Sequence, residues 1–256
     1  MPTPESQRAV AESFGTDAAK YDRHRPRYPD ALITRIVAGS PGTALLDVGC
    51  GTGIAARQFQ AAGCTVLGVE PDVRMADFAR STGVETEVST FETWDDRGRR
   101  FDAVVAGTAW HWVDPVAGAA KAFEVLRPGG RLATFWHVFD LPQPIGAAFA
   151  EIYRRVVPEA PFDFDTTRSM IDLYQGQFDR AADGMRGAGF TEPEQWRYEW
   201  ERHYTRDEWL ELLSTHGGMT PLTADQRAEI LAAIAPVLGD GFVLPYLTAA
   251  VTATTH

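Results

Sequence analysis

"LLDVGCGTG", residues 45–53, is an apolar run that ends in an acid and three alternating glycines. Leu45 to Val48 reads as a strand and the helix-periodic "IAARQFQAAG" after it as a helix, so Gly49, Gly51 and Gly53 occupy the turn between them. Glycines at such a turn let the backbone approach a ligand closely and aim the N–H groups of a helix start at it. Working outward, "TALLDV" (43–48), "TVLGV" (65–69), "VETEV" (84–88), "DAVVA" (102–106) and "RLATFW" (131–136) are strand-like runs. The segments "IAARQFQAAG", "DVRMADFARS" and "DPVAGAAKAFEVL" between them carry apolar residues at helical spacing, and Gly63, Gly83 and "RPGG" at 127–130 close the units. Five strand–helix alternations predict a parallel sheet wrapped by crossover helices, a doubly wound α/β fold.

Some 40 residues precede the first strand, including "YDRHRPRYP" (21–29), where Pro26 and Pro29 bracket a break between two short helices. About 55 residues follow the fifth strand before "EQWRYEW" (194–200), enough for two or three helices. This insert carries Phe149, Tyr153, Phe162, Phe164, Tyr174 and Phe178, which would serve as an apolar lid or as ordinary helix packing. Helices over 205–213 and 223–237 and a last strand, "FVLPYLTAAVTA", complete the chain. The expected whole is a Rossmann-like, seven-stranded, mostly parallel sheet with one antiparallel edge strand. It is read as a single domain over 1–256, with a helical cover (1–40), a cofactor-binding core (41–137), a helical insert (138–193) and C-terminal strands and helices (194–256).

Composition narrows the function. Asp and Glu exceed Lys and Arg by 35 to 24, a formal charge of −11, which opposes attraction to phosphate backbones and points away from nucleic acid. The apolar runs are far short of the roughly 20 residues that span a bilayer, and the N-terminus lacks an export signal, so a cytoplasmic chain without membrane insertion is expected. Cys50 and Cys64 are too few for a disulfide framework. No His, Asp or Glu cluster has metal-ligand spacing, and no metal is expected.

The glycine spacing is G-x-G-x-G, not the G-x-G-x-x-G of dinucleotide folds, and Asp47 sits two residues before Gly49. A carboxylate there would repel a pyrophosphate and suits a ligand that carries a sulfonium and an ammonium but no phosphate. The second strand ends in "GVEPD", which places Glu70 21 residues after Gly49, where an acid binds both ribose hydroxyls. After the third strand, Thr90 and the Phe91 backbone in "STFETW" would meet an adenine edge.

With these motifs the chain resembles the class I methyltransferases, which use S-adenosylmethionine. The resemblance runs over residues 40–137 through the glycine turn, Glu70, "STFE", "FDAVVAGTAWHWVD" and "VLRPGG". It implies that Asp47, Gly49, Gly51 and Gly53 hold the methionine part and Glu70 the ribose, with Pro71 and Met75 on the adenine. The Ala106 backbone and His111 would lie near the sulfonium. "YDRHRPRYP" and "AWHWVD" look like the group containing trans-aconitate and cantharidin-type enzymes, which implies a small-molecule acceptor and a clamp of Tyr21 and Arg25 on the methionine carboxylate. The usual adenine-amino acceptor of such folds is an acid, whereas Thr90 stands here.

Methyl transfer from a sulfonium is an in-line displacement, so the protein chiefly aligns the acceptor and sometimes supplies a base. His111, after the fourth strand, and His137, after the fifth, are the candidate bases, because an imidazole titrates near neutral pH. Two other readings stand beside this one: a catalytically silent cofactor-binding partner protein, and a nicotinamide-dependent oxidoreductase, which the glycine spacing disfavours.

Overall fold

The structure is a computed structural model and describes residues 13–159 and 169–256. Phe162 and Phe164 of the insert and the first residues of the N-terminal cover lie outside the described residues. Seven strands form one sheet: β1 (Ala44–Val48), β2 (Thr65–Glu70), β3 (Glu85–Val88), β4 (Phe101–Gly107), β5 (Leu126–Val138), β6 (Glu194–Thr205) and β7 (Gly241–Thr254), in the order β3-β2-β1-β4-β5-β7-β6. The first five pair in parallel, and β7 runs antiparallel to β5, so the two late strands close the sheet at that side. Residues Leu45–Val48 and Phe101–Ala106 are buried throughout, as strands covered on both faces must be.

The helices are α1 (Ala18–His24), α2 (Asp30–Ala38), α3 (Ile54–Ala61), α4 (Val73–Ser81), α5 (Pro115–Val125), α6 (Gln143–Val156), α7 (Met170–Ala188), α8 (Arg206–Ser214) and α9 (Ala224–Ile234). Local chemistry sets their starts. Asp72 caps α4 by accepting from the Arg74 N–H, and Asp114 caps α5 ahead of Pro115. Thr205 with Glu208 and Thr223 with Gln226 form capping boxes at α8 and α9. Pro26 and Pro29 lie between α1 and α2, as the sequence requires.

The described residues fall into two compact units. One takes Pro26–Val138, Tyr174–Glu199 and Leu247–His256, and so holds β1 to β5, the start of β6 and the end of β7. The other takes the described residues up to Arg25 together with Phe139–Leu173 and Trp200–Tyr246. The insert after β5 is therefore divided between them. Phe149 and Tyr153 on α6 are core residues of the second unit, packed with Trp209, Ile230 and Tyr246, while Phe178 on α7 is buried in the sheet unit. Aromatic residues at helical spacing that meet apolar neighbours become core, and these three do. Among the described residues no helix is long and apolar enough to cross a membrane, and no cluster of three metal-binding side chains occurs.

At the start of β4, Asp102 holds the sheet together. Its Oδ2 accepts from the Ala44 N–H at 2.8 Å and its Oδ1 pairs with Arg127 at 2.9 Å. Asp102→Ala should cost about 1–3 kcal/mol, because it orphans a backbone donor at the mouth of β1. A melting temperature lowered by roughly 2–10 °C would agree with this, and an unchanged one would not.

Candidate functional site

The strand order reverses direction at β1, whose neighbours are β2 on one side and β4 on the other. Chains leaving β1 and β4 therefore turn to opposite faces and open a crevice at the carboxyl ends of the strands, the usual ligand position in such sheets. Register brings the important residues level. Asp47 lies opposite Gly68 and Val105, Glu70 ends β2 opposite Val88, and Ala106 pairs with Thr134.

The glycine turn has the geometry its sequence demands. Gly49, Gly51 and Gly53 have φ of 62°, 55° and 86°, in the left-handed region that favours glycine. A side chain at Gly49 would stand 2.6 Å from the Ala109 methyl group, so the loops after β1 and β4 touch there. At Gly51 nothing lies within 4 Å of where a Cβ would be, so that glycine faces open space. Glu70 braces the turn: Oε2 accepts from the Gly51 N–H and Oε1 from the Asp72 N–H, each at 2.9 Å.

Asp47 is the anomaly. It is 1% exposed, and neither carboxyl oxygen closes a hydrogen bond among the described residues. Burial and then the charge of Glu70 push it up to about 8, with the Ala56 N–H offsetting only part. Burial also raises Glu70. A buried acid that closes no hydrogen bond is costly, and a cationic donor entering the open space at Gly51 would relieve that cost.

The other expected residues divide by location. Met75 is buried, Pro71 exposed, and Ala106 is buried one residue before the end of β4. Phe91 is buried against Trp110 at 6.2 Å between ring centres, leaving its backbone at the loop, and the Thr90 hydroxyl pairs with that of Thr93 at 2.8 Å. Trp136 and His137 are neighbours on β5 and point to opposite faces of the sheet. Trp136 Nε1 donates to His111 Nδ1 at 3.3 Å, whereas His137 stacks on Tyr28 at 4.4 Å and shares a hydrogen bond with Thr248 at 2.9 Å. The structure thus does not bring His111 and His137 together. Tyr21 and Arg25 belong to the second unit, where the Arg25 guanidinium lies 4.7 Å from the Tyr21 ring centre and donates to the Thr215 carbonyl at 2.7 Å.

Two residues at this edge were not singled out from the sequence. Tyr28 hydrogen-bonds to Thr108 at 3.0 Å, and Thr108 itself has φ of 53°, a strained conformation for a non-glycine residue at the end of β4. The usable signal was Tyr28 between Pro26 and Pro29, in "YDRHRPRYP". Trp136 is the second, and its signal was alternation along β5.

Comparison with known proteins adds the family context. The methyltransferase domain family matches residues 21–217. An uncharacterized methyltransferase of Mycobacterium tuberculosis is 28% identical over 259 residues, covering 97% of this chain and 98% of its own. A protein from Anaeromyxobacter dehalogenans assigned as a type II methyltransferase shares the fold with a TM-score of 0.61 and 24% identity, over 91% of this chain and 99% of that one. A phosphoethanolamine N-methyltransferase of Haemonchus contortus, solved in complex with S-adenosyl-L-methionine, superposes with a TM-score of 0.52 at 14% identity, over 94% of this chain and 57% of that one.

Proposed function

The chain belongs to the methyltransferase domain family, and from that premise we propose that it methylates a small molecule at oxygen, with a carboxylate as the favoured acceptor. It is an S-adenosylmethionine-dependent methyltransferase. The observation that carries the assignment of this cofactor to particular residues is the buried, unpartnered Asp47 carboxylate beside the open face of Gly51. When bound, S-adenosylmethionine supplies a methyl group on a positively charged sulfur. Asp47 would pair with the ammonium of its methionine part, Gly49, Gly51 and Gly53 would let the backbone close on that part, and Glu70 would accept from the ribose hydroxyls. Glu70 has lone pairs left for this after serving two backbone donors. Pro71, Met75, Thr90 and the Phe91 backbone are assigned to the adenine, and the Ala106 backbone to the sulfonium side. The assignment of Tyr21 and Arg25 to the methionine carboxylate rests on the resemblance of "YDRHRPRYP" alone.

The formal charge of −11 supports a small acceptor over a nucleic acid. Oxygen is supported by the resemblance of "AWHWVD" to the trans-aconitate and cantharidin-type group. The test is release of S-adenosylhomocysteine by the purified chain against a panel of small carboxylic acids, phenols and amines. Turnover confined to amines would overturn oxygen as the acceptor atom. For the cofactor site, Glu70→Ala should weaken S-adenosylmethionine binding by about 1.5–3 kcal/mol, the scale of hydrogen bonds to a charged group. Titration calorimetry reads this directly, and equal affinity in the variant would remove Glu70 from the site.

A further inference from the structure

His111 has a fixed proton. The indole Nε1 of Trp136 is a donor only, and it donates to His111 Nδ1. Nδ1 therefore presents its lone pair to the indole, and the neutral ring carries its hydrogen on Nε2. A neutral imidazole accepts a proton on its lone-pair nitrogen, which here is occupied. Protonation would set two N–H groups face to face at a tryptophan that is 1% exposed. Burial, and then the positive charge of Arg180, hold the ring neutral by lowering it to about 4. His111 thus offers an N–H donor at the carboxyl end of β4 and is not built to be a base.

A cation on α7 brings its charge to bear on that ring. Helix α7 is pinned at two points within the sheet unit: Phe178 packs on Trp136 with ring centres 5.4 Å apart, and a side chain at Gly184 would collide with the Pro115 carbonyl. Arg180 lies between these two points on the helix, and its Nη1 reaches back along α7 to 3.7 Å from where a side chain at Gly176 would begin. It is exposed, and among the described residues no carboxylate pairs with it.

On the reading that this enzyme methylates oxygen, we propose that the His111 Nε2–H and the Arg180 guanidinium together receive a carboxylate of the acceptor, with Trp136 as the positioning residue that fixes the tautomer. The chemistry needs no base. One carboxylate oxygen forms the new O–CH3 bond with its own lone pair while the S–CH3 bond breaks and its electron pair stays on sulfur. The products are a methyl ester and S-adenosylhomocysteine, and no proton leaves.

The experiment uses the full chain, with isotope-labelled histidine ring nitrogens, saturated with S-adenosylhomocysteine. The signals lost in His111→Gln identify the ring. They should report hydrogen on Nε2, a bare Nδ1, and no titration from about pH 8 down to about pH 5.5. Succinate or benzoate should shift the Nε2 signal in the wild type and not in Arg180→Gln, an exposed substitution that keeps the fold and the affinity for S-adenosylhomocysteine. In Trp136→Phe the tautomers should mix and the ring should titrate nearer its ordinary range. With a carboxylate substrate, Arg180→Gln should raise KM roughly tenfold or more and leave kcat within a few fold. Hydrogen on Nδ1, a wild-type midpoint near the ordinary imidazole range, or an equal carboxylate response in Arg180→Gln overturns the proposal. Failure of S-adenosylhomocysteine to bind would instead count against the cofactor site. Normal cofactor binding with the wrong tautomer counts against this proposal alone.

Discussion

Asp47→Asn should weaken S-adenosylmethionine binding by about 10- to 100-fold, the equivalent of losing a charge-assisted hydrogen bond, while making the cofactor-free protein more stable at pH 8. Both effects come from one feature, a carboxyl group that is 1% exposed and closes no hydrogen bond among the described residues, with the Ala56 N–H too distant to do more than ease its burial. Its folded value of about 8 stands above the ordinary 3.8, so the folded protein keeps a proton that the unfolded chain releases. Its favourable contribution is then fully present below about pH 4 and is lost as pH rises to about 8. Asn removes that dependence, so melting curves of wild type and variant should diverge with rising pH, the variant melting higher. Saturating cofactor should reverse the order, because only the wild type gains tight ligand binding. Near pH 7, where the free carboxyl is protonated, binding of a cationic ammonium should also release about one proton per cofactor, and none in Asp47→Asn. Calorimetry in buffers of different ionisation enthalpy measures this. A variant that binds as tightly as wild type, or binding with no proton release, would refute the pairing of Asp47 with the ammonium.

Gly49→Ala and Gly51→Ala should fail in different ways although the two glycines are two residues apart in one turn. Both have positive φ, so either methyl group carries backbone strain of about 1–2 kcal/mol. At Gly49 the new methyl would also meet the Ala109 methyl at 2.6 Å, adding an overpacking cost of about 1–3 kcal/mol. Gly49→Ala is therefore expected to lower the melting temperature by roughly 5–15 °C. At Gly51 the methyl enters open space, so stability should fall by no more than the strain. Cofactor affinity should fall at least tenfold there, because the methyl occupies the space the ligand needs. Thermal melts and calorimetry on the two variants separate the cases. Normal affinity in Gly51→Ala would show that the open face of the turn is not where the cofactor lies.

The sequence by itself determined the β1 to β5 alternation, the positions of the helices between them, and the acid–glycine turn with Glu70 at the end of β2. These features are local. Strand burial writes itself as apolar runs, helix starts as Asp72 and Asp114, and a left-handed turn as glycine, so each is legible within a few residues. Pairing between distant segments leaves no such mark. That Asp47 would be buried without a closed hydrogen bond depends on what β2 and β4 bring around it, and that His111 is held neutral depends on its burial, on the charge of Arg180 from α7 and on the indole of Trp136 from β5. His111 and His137 looked alike in the sequence, each just past a strand. Only the alternation of β5 against its neighbours set Trp136 toward one of them and His137 toward Tyr28, because side chains on successive strand residues face opposite sides. The division of the insert was equally hidden: Phe149 and Phe178 share a helical pattern and an aromatic ring, yet they pack in different units because the partners that bury them come from remote parts of the chain.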